Sequence, residues 1–168
     1  MKRVAASYIL MFPSLAFAAD VPDAAFYRNA AEDGIAQVDM GKLAQQSAHS
    51  QSVKDFGALM VKDQSAANEK LKSLAQSKNI TLPATTSVEE MVAKDKLKGL
   101  SGPSFDKSYV QGMIKDQQED IAEFKKEAAS GQDPDARAFA SATLPTLEAH
   151  LKKIQSIAAE AGVSVSAN

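Results

Sequence analysis

The chain has 168 residues, 19 of them basic and 21 acidic, with a formal net charge of −2 at pH 7. That length gives one domain with a sizeable core, and a balanced charge without a basic stripe excludes nucleic acid as a partner. Cysteine is absent, which excludes disulfides, thiolate metal centres and lipid attachment through cysteine, so packing must supply the stability.

Lys2 and Arg3 precede the apolar run Val4 to Phe12, followed by Pro13 and the small-x-small signal Ala16-Phe17-Ala18. This pattern is a secretory signal peptide over residues 1–18, cut after Ala18 or Ala19. The apolar run is shorter than the roughly 20 residues that span a bilayer, and no later segment is long or uncharged enough. The expected mature protein is periplasmic, with a helical domain over residues 24–161 and a flexible tail over 162–168.

Asp23 is placed to cap a first helix running to about His49, with Phe26, Ala30, Gly34, Val38 and Ala44 near one stripe. After the break Ser50-Gln51-Ser52, the residues Val53, Phe56, Met60, Gln64, Ala67, Leu71 and Leu74 recur at alternating threes and fours up to Asn79. A crossover of about 25 residues follows, with Leu82-Pro83, a capping box at Ser87 and Glu90, and an amphipathic stretch to Leu97. The charged run from Lys94 to Lys98 is expected to be a solvated face. The next long helix, Ser104 to about Ser130, carries Phe105, Tyr109, Met113, Gln117, Ile121, Phe124 and Ala128. Gly131 and Asp133-Pro134 stop it and start the last helix, which turns Phe139, Leu147, Leu151, Ile154 and Ala158 inward and ends near Gly162. Pro145 should kink that helix about a turn before His150.

Short connections within each helix pair and a long one between the pairs predict two antiparallel hairpins, with helices two and three parallel. The fold class is therefore all-α, a four-helix bundle in the ferritin-like up-down-down-up arrangement. A repeat agrees with two copies of a helix unit, since Met60-Val61-Lys62-Asp63-Gln64 returns as Met113-Ile114-Lys115-Asp116-Gln117.

Helices of about 27 residues are roughly 40 Å long, so their midpoints coincide when they pack side by side. Those midpoints are Gln37, Gln64, Gln117 and a point close to His150, which predicts four polar side chains at one level of the core. The same topology sets the thioethers of Met40, Met60 and Met113 on one side of that layer. His49, at the first turn, is a solvated residue favourable to the helix dipole.

The leader, Gly41-Lys42-Leu43-Ala44, the two Met-x-Lys-Asp-x repeats, Leu82-Pro83, Phe105-Asp106-x-x-Tyr109 and Leu144-Pro145-x-Leu147-x-x-His150-Leu151 together resemble an exported, ferritin-like bacterial family. It is domain of unknown function 4142, often labelled a membrane or outer-membrane protein, and the resemblance covers about residues 24–160. The resemblance implies Glu at the position of Gln37, and Asp-His where this chain has Asp63-Gln64 and Asp116-Gln117. His150 alone keeps the implied ligand type. Because that family has no established activity, the resemblance implies a fold and a candidate metal site.

A ferritin-like di-iron centre needs carboxylates from several helices and a Glu-x-x-His pattern. Here Gln replaces the carboxylates, Leu147 stands where Glu would precede His150, and Asp63 and Asp116 lie about 100° off the stripe. No nucleophile or phosphate loop is apparent. The reading is an exported, non-enzymatic envelope or stress-associated protein with a degenerate central site, no expected cofactor, and an envelope component or small ligand as partner. The alternative is a periplasmic metal protein. Copper suits it better than iron, through Met40, Met60, Met113 and His150, because thioethers favour Cu(I), although Met is far more often a core filler.

Overall fold

The computed structural model describes residues 21–160 and Val163, so the expected signal peptide and cleavage site lie outside the described residues, as does all of the expected tail except Val163. Among the described residues five helices follow in order: α1 (Ala24–Ser47), α2 (Gln51–Ser77), α3 (Val88–Lys98), α4 (Gly102–Ser130) and α5 (Pro134–Glu160). Among the described residues no helix is long and apolar enough to cross a membrane.

The long helices form an all-α bundle of two hairpins, α1–α2 and α4–α5, with α2 also against α5 and α1 against α4. Directions follow from two contacts. Asp106, near the start of α4, accepts the His49 and Ser50 backbone N–H groups of the α1–α2 turn at 2.9 and 2.7 Å. Lys78, just past α2, reaches Asp133 at the α4–α5 turn at 2.9 Å. Helices α2 and α4 therefore start at one end and finish at the other, running parallel on a diagonal, and α3 covers part of the return path against α1 and α4.

Local chemistry explains the boundaries. Ser87 caps α3 by accepting the Glu90 N–H at 3.2 Å. Asn79 takes the left-handed conformation (φ 58°) after α2, and the Ile80 N–H returns to the Ala75 carbonyl at 2.9 Å, a Schellman closure. Gly102 (φ 58°) begins α4 two residues ahead of the expected Ser104, where only glycine takes that conformation without strain. Gly131 ends α4 as expected, in an extended conformation with φ −57°. Glycine is favoured there because a Cβ would lie 2.8 Å from the Glu127 carbonyl oxygen. Helix α5 continues through Pro145 as one element.

Asp23 also differs from expectation. Its side chain makes no bond to α1; its carboxylate instead accepts the Gln132 and Asp133 N–H groups, each at 2.6 Å. Each hairpin turn is thus capped by an aspartate from the start of the other hairpin.

Helices α1 and α2 meet closely where Gly41 faces Gly57. A Cβ on either would stand 2.6 Å from the other's carbonyl oxygen, so small residues here set the helix separation. The apolar core falls into two clusters. One holds Met40, Phe56, Met60, Phe105, Tyr109, Met113 and Ile154 near the α1–α2 turn. The other holds Phe26, Tyr27, Leu71, Phe124, Phe139 and Leu147 towards the α4–α5 turn, with Phe26 edge-on to Phe124 at 5.1 Å. Polar side chains separate them.

Candidate functional site

Gln37 on α1 is the hub of the polar layer. Its Oε1 accepts the Nε2 groups of Gln64 on α2 at 2.5 Å and of Gln117 on α4 at 2.9 Å. Its own Nε2 donates to Asp120 on α4. All four side chains are buried, so one amide joins three helices inside a low-dielectric core, where each such bond matters most. The Gln117 Oε1 has no partner.

His150 is equally buried, and the expectation that it would join the glutamines is corrected in detail. Its Nε2 lies 2.9 Å from Asp63 Oδ2, an aspartate of the neighbouring α2. As a carboxylate oxygen accepts, the imidazole donates through Nε2, which leaves Nδ1 buried without a partner. An aspartate off the apolar stripe of α2 points towards α5, so the imidazole meets a charged acceptor before an amide. This pair and Gln64 line a cavity of about 270 Å³ between α2 and α5. Thr143 is also on its wall, but its hydroxyl is 2.8 Å from the Phe139 carbonyl of its own helix.

A second cavity, of about 210 Å³, lies in the seam between α1 and α4 under α3, and sequence reasoning missed most of its wall. Asp33, Gln37 and Met40 line it from α1, Glu90 from α3, and Met113, Asp116, Glu119, Asp120 and Glu123 from α4. Burial, then the charges of Glu123 and Glu90, raises Asp33 to about 7. Burial and Glu90 likewise raise Asp116 to about 7. Asp120 is pushed well above the ordinary carboxyl range by burial and by Asp33, against the opposing Gln37 bond. These groups hold protons at pH values where exposed carboxyls are ionised.

A signal for this seam was present in the sequence. Gln37 and Asp120 stand 83 residues apart, and the same separation relates Asp33 to Asp116 and Asp23 to Asp106. Gln37 and Asp120 are counterparts in the two hairpins and bond to each other, which places a pseudo-twofold axis at that contact.

The three methionines share one apolar cluster. Met40 and Met113 reach the acidic cavity, whereas His150 lies on the other one. Among the described residues no three His, Asp or Glu side chains are grouped so as to hold a metal ion. The glutamine donors at mid-bundle do not fit a di-iron centre, because the only oxygen of Gln37 is already occupied by two amide donors. His49 is exposed, as expected of a turn residue. Lys94 departs from the expected solvated face, since its ammonium pairs with Asp39 of α1.

These features define a helical bundle with a hydrogen-bonded polar layer and two small polar cavities. The family described as domain of unknown function DUF4142 matches residues 13–157, and the chain belongs to it. Its fold is similar to that of a secreted DUF305 protein from Streptomyces coelicolor, with 16% identity over 87% of this chain and 97% of the other, at a TM-score of 0.72. It is also similar to CopM in its Cu(I)-bound form, with 15% identity over 83% and 96% of the two chains and a TM-score of 0.69. The Cu(II)-bound form of CopM gives 17% identity over 82% and 96%, at 0.70. At such identities the likeness is one of fold. No curated protein matches the chain.

Proposed function

We propose that this DUF4142 protein is an exported, non-enzymatic helical bundle of the cell envelope, associated with stress, whose central site has become structural. The observation that carries the reading is the Gln37 side chain, whose oxygen and nitrogen are committed to Gln64, Gln117 and Asp120. Buried amides gain by satisfying one another, and a layer of them fixes helix register as a single buried Asn does in coiled coils. The polar atoms of the Gln37 side chain are thus spent on the fold, and the partner is an envelope component or small ligand. Export rests on the Lys2-Arg3 start, the short apolar run and the Ala16-Phe17-Ala18 signal.

A copper-binding reading is supported by the clustering of Met40, Met60 and Met113 and by a fold shared with CopM. Elemental analysis of protein purified from its native periplasm, with intact-mass measurement, tests both readings. The expected result is a chain starting at Ala19 or Asp20 without stoichiometric copper or iron. Copper retained near stoichiometry and lost in Met60→Leu and Met113→Leu would replace the proposal with the copper reading. A mass including Met1 to Ala18, recovered from membranes, would overturn export.

A further inference from the structure

Helix α3 is held to the bundle by little. Leu97 is its one buried side chain, Lys94 ties it to Asp39 of α1, and Val88, Met91 and Val92 are exposed apolar residues on its outer face. Its inner face sets Glu90 into the seam cavity, opposite Asp33 of α1 and Asp116, Glu119, Asp120 and Glu123 of α4. Glu32 and Glu89 add charge nearby. The two lysines facing this region are committed, Lys94 to Asp39 and Lys115 to Glu119 at 2.8 Å. Six carboxyl groups therefore surround about 210 Å³, with Glu119 paired and Lys115 also drawing on Glu90 and Asp116, so a closed α3 is favoured while protons limit the charge of the rest.

We propose that α3 is a clasp closed over the α1–α4 seam by protons, and that ionisation of the seam carboxyl groups releases it. Opening moves Glu90 away from Asp33 and Asp116 and admits water to all three, so the open form binds fewer protons than the closed form. Asp33 and Asp116 are raised to about 7 in the closed form. The clasp is firmest near the ordinary carboxyl range, about pH 4, weakens as pH rises to about 7, and changes little above that. Opening is local, because α3 gives the core a single buried side chain, Leu97, and none to the cluster towards the α4–α5 turn.

Hydrogen exchange followed by mass spectrometry, corrected for the intrinsic pH dependence of exchange, measures it on the full mature chain. Protection of residues 88–98 is expected to fall about tenfold or more between about pH 5 and about pH 7.5, while α2 amides from Val53 to Leu71 keep theirs. The fall should shrink in Asp33→Asn combined with Asp116→Asn, and Glu90→Lys should reverse it by giving the clasp an attractive charge at high pH. No fall in the wild-type chain would overturn the proposal. An undiminished fall in Glu90→Lys would do the same, and this half-buried position on α3 gives that answer even where the double variant does not fold.

Discussion

Asp133 at the α4–α5 turn and Asp120 in the seam both expose little surface, 5% and 7%, but Asp120 lies deeper in the protein, and their carboxyl groups are displaced in opposite directions. Burial acts to raise both. At Asp133 it is outweighed by Lys78, by the Asp135 N–H and by the Tyr27 hydroxyl, and the carboxyl lies below its ordinary range. Asp120 has one amide donor and faces Asp33 and Asp116, and it lies well above. Depth and partners together thus decide which protonation state the fold prefers, a shallow carboxyl with several donors staying ionised and a deep one beside other carboxyls keeping its proton. The two regions pull stability in opposite directions with pH. The Asp133 contribution is present above the ordinary carboxyl value and is lost as pH falls through its lowered folded value. That of the seam is present at low pH and is lost as pH rises towards about 7.

The largest effect is expected from Asp133→Ala, which strips the Tyr27 hydroxyl and Lys78 of their shared acceptor and removes the cap on Asp135. Hydrogen bonds to charged groups contribute roughly 1.5–3 kcal/mol each, so urea unfolding at neutral pH should show a loss of at least about 2 kcal/mol. A variant as stable as the parent would remove the paired half of the contrast. Gln64→Leu comes next, because it deletes one donor to Gln37 at the centre of the layer; the expected cost is about 1–2 kcal/mol in the same assay. Asp120→Asn should have the opposite sign, keeping an acceptor for Gln37 while removing a charge that its neighbours disfavour. A gain of about 1 kcal/mol at pH 8 that vanishes near pH 4 is expected from melting curves at the two pH values. A loss at both would mean that Asp120 is anchored by its charge.

The architecture was legible because it rests on local signals. The alternating threes and fours of α2 define its buried face, and the short and long connections are sufficient for the parallel pairing of α2 and α4. The depth of Gln37, Gln64 and Gln117 followed from helix midpoints alone. What the sequence concealed were partners that only tertiary structure supplies. Asp23 has the local chemistry of a cap for α1, but caps a turn more than 100 residues away because that turn has free N–H groups within its reach. His150 was placed at the right level with the wrong neighbour, since stripe analysis discards an off-face residue such as Asp63 that can still point at the adjacent helix. The seam was overlooked because the obvious repeat, Met60–Gln64 with Met113–Gln117, equates diagonal helices. The pseudo-symmetry of the hairpins equates α1 with α4, and it is carried by single aspartates that leave no continuous motif.

If the polar layer is a structural unit, its members must depend on one another. Urea unfolding of Gln64→Leu, of Gln37→Leu, and of the variant with Gln37, Gln64, Gln117 and Asp120 all changed to Leu measures that dependence. Gln37→Leu leaves the Gln64 and Gln117 amides without their shared acceptor, at about 1–3 kcal/mol, and Gln64→Leu removes one of the two donors to Gln37, whereas the combined change removes donors and acceptors together. The account requires the combined variant to be destabilised by less than the sum of those two single changes, with its helical content retained. A combined loss equal to or larger than that sum would contradict it, and would mean that these four side chains hold the bundle independently of one another.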